Sequence, residues 1–355
     1  MNTKTRILSA LAAAALAAGM LSACAPASGG PASSASAASG GASAKAPASA
    51  VEQGKRTAYP LTVTTYNYAK EPVEETFEKA PQRVLCNEVN SVETMLSLGL
   101  ADRIICAAGI SKDSIRADLQ DEFAKIADKV YDTKNAELSK EVAVMKQPDF
   151  ILGWRSTFSD KMLGDVDYWH QNHVNTYVAL NSNKTAPDCT VENEYQDILT
   201  IGKIFDVQEK AQALVAQMQA AVGKAEKAAA GKEKQKVLIL DFLGEKIWAY
   251  DTTMLAGNLV ESMGGEIVPT GENVGREDIL NANPDVLYVV TYGANAEGHS
   301  ALKKITEDPA YASLKSVQGK RVYELPLSEI YTSGVRTIDG LNAIGQTLYP
   351  GAYQA

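Results

Sequence analysis

The sequence has no run of basic residues. Its 34 Lys and Arg are scattered along 355 residues and are outnumbered by 43 Asp and Glu, so the formal net charge is −9. Proteins that bind nucleic acid usually concentrate Lys and Arg in a patch that meets the phosphate backbone. The composition therefore argues against a nucleic-acid partner.

Cysteine and histidine are also scarce. Beyond Cys24 the cysteines are Cys86, Cys106 and Cys189, and none of them has the C-x-x-C spacing of a zinc site. The three histidines are scattered as well, so we expect no metal site built from converging side chains. Cys86 and Cys106 each lie near an apolar strand, which is compatible with a disulfide, although buried free thiols are the favoured interpretation.

Common catalytic motifs are missing too. The sequence contains no G-x-S-x-G, no H-E-x-x-H and no P-loop, which place a nucleophile, zinc ligands or a phosphate cradle at fixed spacings. We therefore expect the protein not to be an enzyme.

The N-terminus has the pattern of an export signal. A basic segment, MNTKTR, precedes an apolar run that is too short and too rich in alanine to predict a membrane span, so residues 1–23 are interpreted as a signal peptide. The motif LSAC resembles a bacterial lipobox, which implies cleavage before Cys24 and lipidation of that residue. Residues 24–56, rich in Ala, Ser, Gly and Pro, are predicted to be a disordered tether. The body is thus expected outside the cytoplasm, lipid-anchored to the cell membrane.

Apolar periodicity divides the remaining chain into two similar parts. Short apolar strands alternate with helical segments over residues 57–205 and again over 233–355, which predicts parallel βαβ units in each part. Residues 206–232 form one long amphipathic stretch, for which Asp206 is a suitable N-cap. The predicted fold is α/β, with two lobes of mainly parallel sheets joined by a single long connecting helix.

One pattern occurs in both parts. EVAVMKQPDFILGW begins at Glu141 and EDILNANPDVLYVV begins at Glu277; both reach Pro-Asp at the same offset and end in an apolar run. A helix that ends before a proline and is followed by a buried strand accounts for both stretches. The same helix, Pro-Asp and strand unit is therefore predicted once in each lobe.

These segments carry a resemblance to a known family. KAPQRVLCNEVNSVETMLSLGLADRII, MKQPDFILGW, ANPDVLYVV and VQGKRVYELP occur in the order found in solute-binding proteins of ABC importers. The resemblance is to the class with a helical backbone that takes up ferric siderophores, haem and cobalamin. It implies an extracytoplasmic, monomeric protein whose partners are a permease and its ATPase. It further implies that Glu141 and Glu277, one on each lobe, dock onto arginines of the permease.

The ligand is expected in the cleft between the lobes, because parallel α/β sheets bind ligands beyond the carboxyl ends of their strands. Trp154 and Arg155 follow one strand and offer an aromatic face beside a guanidinium group, which suits a large, flat or anionic metal complex. The other candidates come from strand ends and from the loop before the last helix; they are Asn87, Tyr250, Tyr292, Tyr331 and Arg336.

The nature of the ligand is left open by these residues. A ferric siderophore is the favoured ligand, and no intrinsic cofactor is expected. Ferric catecholates usually need several cationic contacts, and only Arg155 and Arg336 are placed, so hydroxamate or mixed siderophores, haem and cobalamin all stay open. Haem would take an axial His, Met or Tyr, for which His299 is a candidate. A chelatase-like enzyme is the distant alternative, because two-lobed tetrapyrrole chelatases have a related pattern but are usually intracellular.

Overall fold

The computed structural model describes the chain from Arg56 onwards, in five ranges: 56–111, 114–131, 138–268, 274–292 and 297–353, without the side chains of 297–300. The predicted signal peptide, Cys24 and all but the last residue of the predicted tether lie outside the described residues, as does the side chain of His299. Within these ranges, no helix combines the length and the apolar character needed to cross a bilayer.

Strands and helices alternate along most of the described chain. The strands are β1 (Leu61–Tyr66), β2 (Pro72–Phe77), β3 (Val84–Asn87), β4 (Ile104–Ile110), β5 (Lys129–Tyr131), β6 (Phe150–Gly153), β7 (Asn175–Val178), β8 (Lys236–Leu243), β9 (Lys246–Ala249), β10 (Glu266–Ile267), β11 (Val286–Thr291) and β12 (Val322–Pro326). The helices are α1 (Val89–Ser97), α2 (Gln120–Ala124), α3 (Lys140–Lys146), α4 (Val166–Gln171), α5 (Val191–Ile204), α6 (Gln208–Ala229), α7 (Leu255–Ser262), α8 (Arg276–Ala282), α9 (Glu297–Thr306), α10 (Lys315–Gln318), α11 (Thr337–Leu348) and α12 (Pro350–Tyr353).

The N-terminal lobe is built on a parallel sheet. Its strand order is β5-β4-β3-β6-β7, and each neighbouring pair is parallel. The central strands are apolar on both faces because helices cover both sides, and β3 and β6 are buried at every position. The hairpin of β1 and β2 is antiparallel and forms a separate two-stranded sheet.

The C-terminal lobe repeats this plan with a shorter order. Strands β10, β8, β11 and β12 are parallel neighbours, and β9 pairs with β8 as an antiparallel strand. The run VLYVVT of β11 is buried at all six positions, as expected for a central parallel strand.

The repeated Pro-Asp motif has the same structural role in both lobes. The helices before it, α3 and α8, end in left-handed residues, Gln147 and Asn283. The carboxylate of Asp149 accepts the backbone N–H groups of Gln82 and Arg83 at 2.8 Å each, just before β3. Asp285 accepts the N–H of Lys236, the first residue of β8, at 2.9 Å. Each aspartate thus accepts backbone N–H groups at the start of the neighbouring strand, which is β3 for Asp149 and β8 for Asp285.

Helix α6 joins the lobes and fills their shared core. Its buried residues recur at helical spacing, from Ala211 and Val215 through Met218 to Ala225. One hydrophobic cluster contains this stripe together with inward side chains of both sheets. The predicted fold, two mainly parallel α/β lobes with one long connecting helix, is confirmed. The lobe boundaries 57–205, 206–232 and 233–355 stay predictions, although α6 lies inside the predicted helical segment.

The three cysteines in the described part of the chain are free and buried. Cys86 packs in the core shared with α6, whereas Cys106 packs in the cluster on the other face of the sheet. Burial raises the pKa of both thiols, that of Cys106 to about 11. Both are therefore protonated packing residues and no disulfide joins them.

Candidate functional site

Each of the two parallel sheets has a topological switch point, where the strand order changes direction. In the N-terminal sheet the strand order changes direction between β3 and β6, and in the C-terminal sheet between β8 and β11. Strands on either side of such a point diverge at their carboxyl ends and leave a crevice. Trp154 directly follows β6, and Tyr292 directly follows β11.

A cavity of about 500 Å³ lies at these strand ends and is lined by residues of both lobes. This volume is within the range of sites for small ligands. The lining residues are Glu88, Val89, Asn90, Ser111, Ser114, Ile115, Arg116, Trp154, Tyr292, Pro326, Leu327, Ser328, Glu329, Tyr331, Thr332 and Arg336. Four residues predicted from the sequence, Trp154, Tyr292, Tyr331 and Arg336, are among them.

Two aromatic rings form one wall of the cavity. Trp154 and Tyr331 meet edge to face, with ring centroids 5.5 Å apart and planes at 66°. The indole Nε1 of Trp154 donates to Asn90 Oδ1 at 2.8 Å, which fixes the ring plane. The wall therefore offers apolar surface in a defined orientation, with one ring from each lobe.

The hydroxyl group of Tyr292 is hydrogen-bonded to a buried aspartate, Asp241. Its hydroxyl donates to Oδ2 of Asp241 at 2.6 Å, and Tyr250 donates to the same oxygen at 3.3 Å. Burial raises the pKa of Asp241, and the other oxygen of that carboxyl, Oδ1, has no hydrogen-bond partner among the described residues. Tyr250 is buried and contributes to this cluster, but it does not line the cavity.

Arg336 is bound by a buried carboxylate. Its Nε and Nη2 donate to the two oxygens of Glu93 at 2.5 and 2.6 Å, and its Nη1 donates to Ser328 Oγ at 3.0 Å. Burial opposes the charge of Arg336, but the bonds to Glu93 outweigh it and raise the pKa of the guanidinium. This bidentate pair joins α1 of one lobe to the loop before α11 of the other.

A second arginine, Arg116, lies in the same cavity. Its Nε and Nη2 each donate to Asp118 at 3.0 Å, and its Nη1 lies 3.2 Å from Asp339. Nearby Glu329 also lines the cavity, and burial, with the charge of Asp339, raises the pKa of Glu329 to about 7.

Asn87 and Arg155 are placed elsewhere. The buried Asn87 donates to Thr157 Oγ1 at 2.8 Å, inside the lobe. Arg155 begins a short 3-10 turn that carries it away from the cavity: its Nη1 donates to the carbonyl of Tyr68 and its Nη2 to that of Asn183. Asn87, Arg155 and Tyr250 do not line this cavity. Their contacts with a ligand stay predictions.

The sequence interpretation missed Arg116, Ser328 and Glu329. Arg116 lies in the segment after β4, and Ser328 and Glu329 form a 3-10 turn directly after β12. The strand-end rule would have found both segments if it had been applied to every parallel strand rather than to the central ones.

The two glutamates predicted to dock onto a permease lie in the first turns of α3 and α8, and both are exposed. Ser139 caps α3 by accepting the N–H of Val142 at 3.3 Å. A hydrogen bond from its own backbone N–H, followed by one from Ser139, lowers the pKa of Glu141. At α8, Asp278 accepts the N–H of Gly275 at 2.8 Å, so Glu277 is not used as the cap.

The described residues hold no group of three or more His, Cys, Asp and Glu arranged to bind a metal ion. The cavity instead combines aromatic rings, hydroxyl groups and paired charges at the facing ends of two parallel sheets. A fold and site of this kind define a two-lobed binding protein for a small molecule.

The family model described as periplasmic binding protein matches residues 84–328. The chain belongs to this family, as the sequence motifs predicted.

Comparisons with individual proteins agree. The petrobactin-binding protein YclQ of Bacillus subtilis is 25% identical over 276 residues, which is 72% of this chain and 78% of that protein. The uncharacterized ABC transporter substrate-binding lipoprotein YvrC of the same organism is 22% identical over 291 residues, 79% of this chain and 83% of that protein. A crystal structure of a periplasmic binding protein from Veillonella parvula superposes with a TM-score of 0.77 at 29% identity, covering 84% of this chain and 94% of that one.

Proposed function

We propose that the protein is the lipid-anchored substrate-binding component of an ABC importer and captures a ferric siderophore between its lobes. The observation that carries the proposal is the cavity of about 500 Å³, walled by Trp154 and Tyr331 and completed by residues of both sheets. A ferric siderophore is a bulky complex that presents hydrocarbon surface and oxygen atoms that accept hydrogen bonds. The aromatic wall and the hydroxyls of Ser111, Ser328 and Tyr331 suit both features. The relative named for petrobactin supports this ligand class.

Delivery to a permease is the second part of the proposal. Glu141 and Glu277 project from matching helices, one per lobe, and both are exposed. Carboxylates in the first turn of a helix are stabilised by the helix dipole. Two such charges at fixed positions on two lobes suit a partner that presents two cationic sites.

Anchoring is the third part. The lipobox-like motif LSAC ends at Cys24, and residues 24–56 have a composition typical of a flexible tether. The relative YvrC, named as a substrate-binding lipoprotein, supports the same arrangement.

The ligand is tested by calorimetric titration of the full-length protein, purified in detergent, with a panel of ferric hydroxamates, ferric catecholates, haem and cobalamin. We expect stoichiometric, saturable binding of a ferric siderophore without turnover. Binding of cobalamin alone would keep the transport role and overturn the ligand, and catalytic insertion of a metal into a free porphyrin would overturn the transport role.

Haem is the second candidate, because tyrosine can be an axial haem ligand and the Tyr292 hydroxyl lies at the cavity with Asp241 behind it. A haem complex would have a Soret band that changes in Tyr292→Phe. Haem binding with an unchanged Soret band in that variant would exclude this ligation.

A further inference from the structure

Both arginines at the cavity are paired with carboxylates, and acids outnumber bases. Arg336 has a partner at each of its three guanidinium nitrogens: Glu93 at Nε and Nη2, and Ser328 at Nη1. Its Nη2 also donates to the carbonyl oxygen of Ser114. Glu93 is fully buried, and its carboxyl group also accepts the N–H of Arg116 at 2.7 Å.

Arg116 is also paired with carboxylates. Its Nε and Nη2 donate hydrogen bonds to Asp118, and its Nη1 forms an ion pair with Asp339. An incoming anion that displaced the carboxylate from either guanidinium group would break an existing ion pair. For Arg336 that exchange would leave the buried Glu93 without its counter-charge, which is strongly unfavourable.

The net charge of this group follows from a count. The two guanidinium groups of Arg116 and Arg336 face four carboxyl groups: Glu93, Asp118, Glu329 and Asp339. Glu88 is a further acidic residue in the lining. Burial raises the pKa of Glu329 to about 7 and also raises the pKa of Asp339. Carboxyl groups outnumber guanidinium groups two to one in this group, so at pH values above 7 its excess charge is negative.

We propose that this cavity selects ferric complexes that carry no net negative charge, and that Glu329 is a residue that determines this specificity. The inference rests on the proposed function and narrows its ligand class. A ferric trihydroxamate is neutral because three hydroxamate anions balance Fe³⁺, and it asks only for apolar contact and hydrogen bonds. A ferric tricatecholate is trianionic, because each catecholate carries two charges, and each guanidinium group among the described lining residues already has a carboxylate partner.

The test compares two ferric complexes of different charge. Ferrichrome, a neutral trihydroxamate, and ferric enterobactin, a trianionic tricatecholate, are titrated separately into the full-length protein in detergent at pH 8, with bound ligand measured at equilibrium. We expect ferrichrome to bind at least about a hundredfold more tightly, since repulsion of a trianion in a partly buried site is large. Ferric enterobactin binding as tightly as ferrichrome would overturn the inference while leaving siderophore capture intact. No binding of either complex, with haem or cobalamin bound instead, would overturn the proposed function and this inference together.

A charge-neutral variant separates charge from shape. Glu329→Gln keeps the size of the side chain and removes one negative charge, so the ratio of the affinity for ferric enterobactin to that for ferrichrome should rise about fivefold or more. The matched control is Glu307→Gln, an exposed glutamate 3.9 Å from Lys303 and outside the cavity. It should leave both affinities unchanged. Equal changes for both complexes in Glu329→Gln would contradict a role through charge.

Discussion

Glu194 links the two lobes through a buried carboxyl group. It lies on α5, where Oε1 accepts from Asn181 Nδ2 at 2.7 Å and Oε2 accepts the N–H of Gly334, in the loop of the other lobe, at 2.6 Å. Gly334 has φ +55°, and a Cβ there would lie 2.6 Å from Thr94 Oγ1. Glycine is therefore required where this loop, which also carries Tyr331 and Arg336, meets the N-terminal lobe.

Ionisation of Glu194 should cost stability. Burial raises its pKa from 4.5 to about 7, which corresponds to roughly 3 kcal/mol. Because the folded pKa lies above the unfolded one, the stabilisation is full below pH 4.5 and is lost as the pH rises through 7. Glu194→Gln cannot ionise, so its free energy of unfolding relative to the wild type should rise by up to about 3 kcal/mol between pH 5 and pH 8. Urea unfolding at several pH values measures this.

The control for this prediction is on the same helix. Glu192 is exposed in the first turn of α5, so Glu192→Gln should not reproduce the gain of Glu194→Gln between pH 5 and pH 8. A Glu194→Gln difference that is equally flat would mean that Glu194 does not titrate in the range inferred from its burial.

The sequence predicts which residues reach the cavity when they directly follow a central strand. Trp154 and Tyr292 reach the cavity for this reason. Arg155, one residue further, begins a 3-10 turn and contacts Tyr68 instead, with its guanidinium carbon 5.1 Å from that ring. The sequence pattern contains the strand but not the turn geometry that decides where the next side chain points. It also cannot reveal pairs such as Arg336 and Glu93, which are 243 positions apart.

Elements were predicted more reliably than their ends. The repeated helix, Pro-Asp and strand unit appears in both lobes because it combines a local stop signal with a buried apolar run. The caps were less predictable. Asp206 does not cap α6, whose N-cap is Val207; instead it accepts the N–H of Thr57 at 2.7 Å. Tertiary hydrogen bonding at a chain crossing overrides the local capping preference here.

The matching positions of Glu141 and Glu277 lead to a prediction about transport. Glu141→Lys and Glu277→Lys should each reduce iron uptake by about tenfold or more, because each places a cation where the proposed partner presents another. The affinity for the ferric ligand should be unchanged, since neither residue lines the cavity. Uptake of radiolabelled iron by cells and equilibrium binding to the purified protein measure the two effects.

Glu209 provides the control for the docking variants, because it is an exposed glutamate in the first turn of α6. Glu209→Lys should transport normally. Normal uptake in both docking variants would remove these residues from the delivery step, and a loss of ligand affinity would assign them to the binding site instead.

At the scale of the whole molecule, the two lobes share one core through α6, a helix of 22 residues and roughly 33 Å. Residues of both sheets pack against it in a single cluster. The order of the elements along the chain made this architecture predictable from the sequence. The lining of the cavity was less predictable because it depends on how loops of the two lobes meet.

The proposed attachment to the membrane concerns the whole chain and depends on one residue, Cys24. Cys24→Ser removes the thiol that the lipobox-like motif presents, so the protein should leave the membrane fraction and appear in the soluble extracytoplasmic fraction. Binding of the ferric ligand should persist. Cell fractionation of the variant checks this, and a protein that stays with the membrane would contradict anchoring through Cys24.

The most direct test of the account asks whether the iron complex lies against Trp154. The protein has three tryptophans, of which Trp154 lines the cavity and Trp169 is buried in the N-terminal lobe. Tryptophan fluorescence is followed as the tightest-binding ferric complex is titrated into the wild type and into Trp154→Phe, which keeps an aromatic face. Capture of the ferric complex against Trp154 predicts strong quenching in the wild type and loss of most of that quenching in the variant. Saturable binding should still be detectable by calorimetry. Equal quenching in both proteins would place the ligand elsewhere and contradict capture between the lobes.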